Sequence, residues 1–239
     1  MTTFTTPTKH DRPAGTHFAD PRPRHRAVLV RGSWRRVTRR IVCGLACALT
    51  VSSLLMPSVS LAAEWIDVGG STHSAADGAA GDGSTWSWDG ADDLQLNGYN
   101  GGGIIAGGKL NVSYEGDNNI ASMGEGITAI DGTSEDAELN ISGTGTLTVE
   151  SNGDSLTSAG DLSIGGSGDI SVDSANGDGI HTEGDLTIEG TGTVKASGAY
   201  GGIYASGDVA INTNGSVTAK GENFRGMHAD GDMSITGGG

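Results

Sequence analysis

The chain has 239 residues, with 14 Lys+Arg against 29 Asp+Glu, 42 glycines and only 5% aromatic side chains. Of these, 10 basic and 2 acidic side chains lie in residues 1–62, so residues 63–239 carry 4 basic and 27 acidic groups, a net charge of −23. That balance excludes a nucleic-acid partner, because phosphate neutralisation needs clustered Lys and Arg; with cysteine only at positions 43 and 47, no disulfide or thiolate site is available beyond residue 62.

Residues 1–62 read as a secretory signal peptide. The basic stretch "RGSWRRVTRR" precedes the apolar run "IVCGLACALTVSSLLM", and small residues at Ser60 and Ala62 place the cut after Ala62. The run falls short of the ~20 residues that a membrane span needs. A retained anchor is the second reading; with cleavage, no membrane insertion follows. The protein is then expected to be secreted or held at the cell surface.

Residues 63–93 hold three of the four tryptophans, in "EWIDVGG" and "STWSWDG". One reading is an N-terminal cap that shields the edge of the first coil. The other is a sugar-stacking platform built from Trp86, Trp88 and Tyr99.

Residues 94–239 carry a repeat. "AELNISGTGTLTVESNGDSLTSA" from Ala137, "GDLSIGGSGDISVDSANGDGIHTE" from Gly160, "GDLTIEGTGTVKASGAYGGIYAS" from Gly184 and "GDVAINTNGSVTAKGENFRGMHAD" from Gly207 align with a period of 23 or 24 residues. Three strand-spaced pairs recur in each, as Leu162/Ile164, Ile170/Val172 and Ile180/Thr182 do in the second. Two-residue spacing marks strands, and a fixed period with three strands per turn marks a solenoid. The fold class is therefore all-β, a parallel β-helix with about three strands per 23–24-residue coil. A single coil buries little; stacking at the ~4.8 Å strand separation turns its inward residues into continuous columns. Gly145, Gly168, Gly192 and Gly215 recur before the second strand, where a positive φ is expected to turn the corner. Upstream of Ala137 the spacing loosens into one or two divergent coils. At "TGGG" the last coil is open, which predicts a longer protein.

Coils such as "GDLTIEGTGTVKASG" and "NGDGIHTEGDLTI" resemble the bacterial secreted carbohydrate-binding β-helix family found in cellulolytic clostridia, and "TWSWDGADDLQLNGYNGG" resembles a leader of glycine-rich bacterial surface proteins. The resemblance spans Leu94 to Gly239. It implies a right-handed parallel β-helix, a surface location, binding of a plant-type or acidic polysaccharide, and bound calcium.

Two acidic columns and one outward column could carry chemistry. The second position of each coil is acidic, as Glu138, Asp161, Asp185, Asp208 and Asp232. A shorter column contains Asp154 and Asp178, then changes to Gly201 and Arg225. These carboxylates either accept backbone N–H groups at the turns or bind calcium, a hard cation that takes several oxygens. Thr157, His181, Tyr204 and His228 alternate outward from the third strand, one per coil, as a stripe for a sugar chain or as ordinary cross-strand stacking. A pectinase or polysaccharide lyase is the rival class. Its basic residues would be Lys195, Lys220 and Arg225, which fall at different positions of the coil. The expectation is a binding protein without a catalytic group, or else a structural adhesin or spacer.

Overall fold

The structure, a computed structural model, describes residues 62–130 and 137–237. The expected signal peptide lies outside the described residues apart from Ala62. Among the described residues no helix is long and apolar enough to cross a membrane.

The described chain is all-β and winds into a parallel β-helix of about 6 turns, roughly 23 residues apart. Three sheets form its walls. The first wall stacks Asp93–Asn97, Leu110–Glu115, Leu139–Gly143, Leu162–Gly166, Leu186–Gly190, Val209–Thr213 and Met233–Thr236. The second runs from Asn100–Gly101 through Asp117–Ser122, Thr146–Ser151, Asp169–Ser174 and Thr193–Gly198 to Ser216–Gly221. The third contains Ile104–Gly107, Ile127–Ile130, Leu156–Ser158, Ile180–Thr182, Ile203–Ala205 and Met227–Ala229.

Register, rather than strand length, holds the walls together. Equivalent residues pair in parallel from coil to coil: Leu139 with Leu162, Leu162 with Leu186, and Leu186 with Val209. The same holds for Ile127, Leu156, Ile180 and Ile203 in the third wall. All of these side chains are buried, so each apolar column is one strip of a single core. A three-residue strand such as Ile180–Thr182 is marginal alone, but here both of its edges are hydrogen-bonded to neighbouring coils. Two polar residues occupy the inner column of this wall and are satisfied there. Ser158 donates to Ala137 O at 2.7 Å, and Thr182 donates to Gly160 O.

The corner glycines are needed for a different reason than a positive φ. None of Gly145, Gly168, Gly192 and Gly215 has one. Instead, a Cβ on Gly145 would overlap Gly116 O, one on Gly192 would overlap Gly168 O, and one on Gly215 would overlap Gly192 O. Corners of successive coils stack backbone on backbone, leaving no space for a side chain. The positive φ falls earlier, at Gly166 (89°) and Gly190 (97°).

Antiparallel segments precede the coils. Trp65–Val68 pairs with Ser71–Ser74 and with Ile104–Gly107, and Trp86–Trp88 pairs with Asp93–Asn97. Reversed strands here occupy the edges of the first and third sheets. Asp82 fixes the entry to Trp86–Trp88 by accepting the Thr85 hydroxyl and the N–H groups of Ser84, Thr85 and Trp86. Those bonds, the Thr85 hydroxyl first, hold its carboxyl well below the usual range.

Candidate functional site

The side chains of interest project from the third wall and from the corner leading into it. Alternation turns Ile180, Ile203 and Met227 inward and His181, Tyr204 and His228 outward. In-register pairing stacks Thr157, His181, Tyr204 and His228 into one column. Its rings touch: His181 and Tyr204 have centroids 5.0 Å apart at 49°, and Tyr204 and His228 are 5.4 Å apart at 38°.

Three residues earlier in each coil the corner column runs Glu125, Asp154, Asp178, Gly201 and Arg225, aligned by the backbone bonds that follow it. The column starts acidic and ends basic. His181 lies against its acidic end. Nδ1 is 3.3 Å from Asp154 Oδ2 and 3.5 Å from Asp178 Oδ2, while Nε2 is 3.2 Å from Glu183 Oε1. Burial by itself would lower the imidazole pKa. Hydrogen bonds to Asp154 and Asp178, the Asp154 charge and Glu183 outweigh it and raise the pKa to about 10. Glu125, half-buried next to this group, accepts the Thr157 hydroxyl at 3.3 Å. Desolvation, followed by the Asp154 charge, pushes its carboxyl pKa up.

At the basic end Arg225 Nη1 lies 2.8 Å from His228 Nδ1, and Asp230 Oδ1 lies 2.8 Å from His228 Nε2. The Tyr204 hydroxyl donates to Asp230 Oδ2 at 2.9 Å. The outward stripe is thus held in place along its length by polar side chains.

Beside it is a pair that the sequence reading passed over. Tyr200 and Phe224 are 45% and 46% exposed and stack at 5.6 Å with 28° between their planes. They stand where the two preceding coils have Gly153 and Gly177, immediately before the corner column. The alignment contains the signal, a glycine position that turns aromatic in two successive coils. Reading the corner only as glycine punctuation hides it. Glu125, Glu183 and Asp230 carry no such signal in the repeat, because their part depends on the reach of side chains.

The first acidic column does a different job. Asp161 Oδ1 accepts the N–H of Asp185 at 2.8 Å, Asp185 Oδ1 that of Asp208 at 2.7 Å, and Asp208 Oδ1 that of Asp232 at 2.7 Å. Each carboxylate occupies the space where a Cβ would stand on Gly184, Gly207 or Gly231. The recurring Gly-Asp pair is therefore one device: the aspartate caps the next coil, whose glycine leaves room for it. Asp154 repeats it, taking the N–H of Asp178 at 2.6 Å beside Gly177. Glu138 departs from the ladder and pairs with Lys109 at 2.9 Å. Among the described residues, metal-capable groups form at Asp154, Asp178 and His181 and at Asp89, Asp92 and Asp93, of which Asp89 and Asp93 are exposed. Asp161, Asp185, Asp208 and Asp232 enter neither.

The tryptophan platform is not formed. Trp86 and Trp88 are two residues apart on one strand, so both face the interior. Trp88 is 1% exposed, its Nε1 donating to Ala91 O at 3.0 Å, and Trp86 packs on His73 and the core. Tyr99 is buried, and its hydroxyl donates to Gly102 O. No flat ring face is left for a sugar at Trp88 or Tyr99.

No family model, curated protein or solved structure matches the chain.

Proposed function

We propose that the protein is a secreted or cell-surface carbohydrate-binding protein, without catalytic activity, that holds a polysaccharide against the third wall. The observation that carries this reading is the exposed Tyr200–Phe224 stack next to the His181–Tyr204–His228 column. Aromatic rings bind the C–H faces of sugars through apolar contact, and polar groups at their rims fix orientation. Here His228, Asp230, Arg225 and the Tyr204 hydroxyl supply the rim. The two aromatic sets run across successive coils along the solenoid axis, Tyr200 to Phe224 and His181 through Tyr204 to His228, an extended strip suited to a linear chain. The resemblance of the coils to carbohydrate-binding β-helices points the same way.

Charge narrows the glycan. The face carries Asp154, Asp178, Glu183 and Asp230 against the single guanidinium of Arg225, within an acidic surface overall. An acidic polysaccharide would be repelled, so the preferred class is neutral.

A glycan array probed with the purified protein, once with calcium and once with chelator, tests the reading. Binding to neutral polysaccharides that is lost in Tyr200→Ala and Phe224→Ala supports it. A silent array in both buffers, or retention unchanged in both variants, would favour the adhesin or spacer instead. Binding that appears only with calcium would assign calcium a part in recognition.

A further inference from the structure

We infer that Asp154, Asp178 and His181 form a site for a divalent transition-metal cation of the zinc class. Its basis is the convergence of one nitrogen and two oxygen donors from two adjacent coils, independent of any glycan. The three ligand atoms lie within 4.8 Å of one another. His181 Nδ1 is 3.3 Å from one carboxylate oxygen and 3.5 Å from the other. Ligands at zinc's bond lengths of about 2.0–2.1 Å in a tetrahedron are separated by roughly 3.3–3.4 Å. The two imidazole–carboxylate separations therefore already match the edges of such a tetrahedron, and the two carboxylate oxygens, within 4.8 Å of each other, need only side-chain movement to close the third.

The second coordination shell is present too. A metal-bound imidazole usually gives its other N–H to a carboxylate, which fixes the ring and strengthens the ligand. His181 Nε2 faces Glu183 Oε1 at 3.2 Å. Asp154 is positioned as well, since its Oδ1 is committed to the N–H of Asp178 and its Oδ2 is turned toward the imidazole. With Glu183 and the neighbouring Glu125 beside the two aspartates, the carboxylates outnumber the single imidazole and favour a cation.

Donor type selects the metal class. Calcium and magnesium take oxygen ligands, whereas imidazole suits zinc, copper, nickel and iron. Three protein ligands leave a fourth position for water or another donor. Among the described residues the site occurs once along the wall, because the next coil replaces Asp178 by Gly201 and His181 by Tyr204.

Calorimetric titration of the purified chain with zinc chloride, and separately with calcium chloride, tests the assignment, with cobalt absorption as a second readout. Zinc should bind one-to-one and at least about tenfold more tightly than calcium. Affinity should fall by at least about tenfold in both His181→Ala and the near-isosteric Asp178→Asn. Cobalt should give visible d–d bands in the native chain that both variants lose. Thermal unfolding establishes that each variant is folded; Asp178→Asn keeps the shape of the site if His181→Ala is too destabilised. Absence of zinc binding, tighter binding of calcium, or zinc affinity unchanged in both variants would each overturn the inference.

Discussion

Asp185 caps the coil that follows it: its Oδ1 accepts the N–H of Asp208 at 2.7 Å and fills the place of a Cβ on Gly207. One carboxylate thereby explains two positions of the repeat, the acid and the glycine before its successor. Asp185→Ala should lower stability by about 1 kcal/mol, the usual value of such a bond, while Asp185→Asn keeps an acceptor and should cost less. Gly207→Ala should cost more, since the added methyl meets the carboxylate. Combining Asp185→Ala with Gly207→Ala removes that clash, so the double variant should lose less than the two single losses together. Relief should be partial, because Gly184 O also lies 2.8 Å from the same point. Urea unfolding of the four proteins checks the cycle; strict additivity would contradict the coupling.

The columns themselves were legible from spacing alone. Leu162, Ile170 and Ile180 recur at 23–24 residues, and no structure other than stacked turns keeps all three in phase. What periodicity could not settle was why a residue is needed. Gly192 looks like a φ requirement in sequence but is a close approach of backbone to Gly168 O. Trp88 looks like a binding residue by type, and only pairing shows that it faces inward beside Trp86. Alternation alone turns His181 outward, and the period alone makes Asp154 and Asp178 an acidic column. Their meeting depends on side chains reaching across a corner and between coils, which a one-dimensional repeat does not encode.

Core truncation should separate wall from surface. Ile180 is fully buried between Leu156 and Ile203, so Ile180→Ala should destabilise by about 2–5 kcal/mol through lost burial and a cavity. Thr187 stands outward in the first wall, and Thr187→Ala should stay within about 0.5 kcal/mol. Thermal or denaturant unfolding gives both values. A similar loss at the two sites would contradict the inward and outward assignment.

His181 makes stability depend on pH in the alkaline range. Its pKa is raised from 6.5 to about 10 in the folded protein, so folding favours the imidazolium. That contribution is fully present below the unfolded value of 6.5 and is lost as pH rises through about 10. Measured with chelator, to keep metals from competing with the proton, the native chain should lose stability across this window relative to His181→Gln. A difference between the two proteins that stays flat from neutral to alkaline pH would show that Asp154 and Asp178 do not hold the proton there.

The two aromatic sets should respond differently to truncation. Phe224 and Tyr200 are nearly half exposed and stack on each other, so Phe224→Ala removes little buried area and should change the melting temperature only slightly. It should weaken retention on a neutral polysaccharide by roughly tenfold, since about 1.4 kcal/mol of ring contact is one decade of affinity. Trp86 packs against His73 and the core, so Trp86→Ala should lower stability while the folded protein keeps its affinity. Affinity electrophoresis in gels with and without the polysaccharide, run beside thermal unfolding, reads both quantities. The opposite pattern, with binding lost in Trp86→Ala and intact in Phe224→Ala, would move the contact face from the third wall to the N-terminal segment.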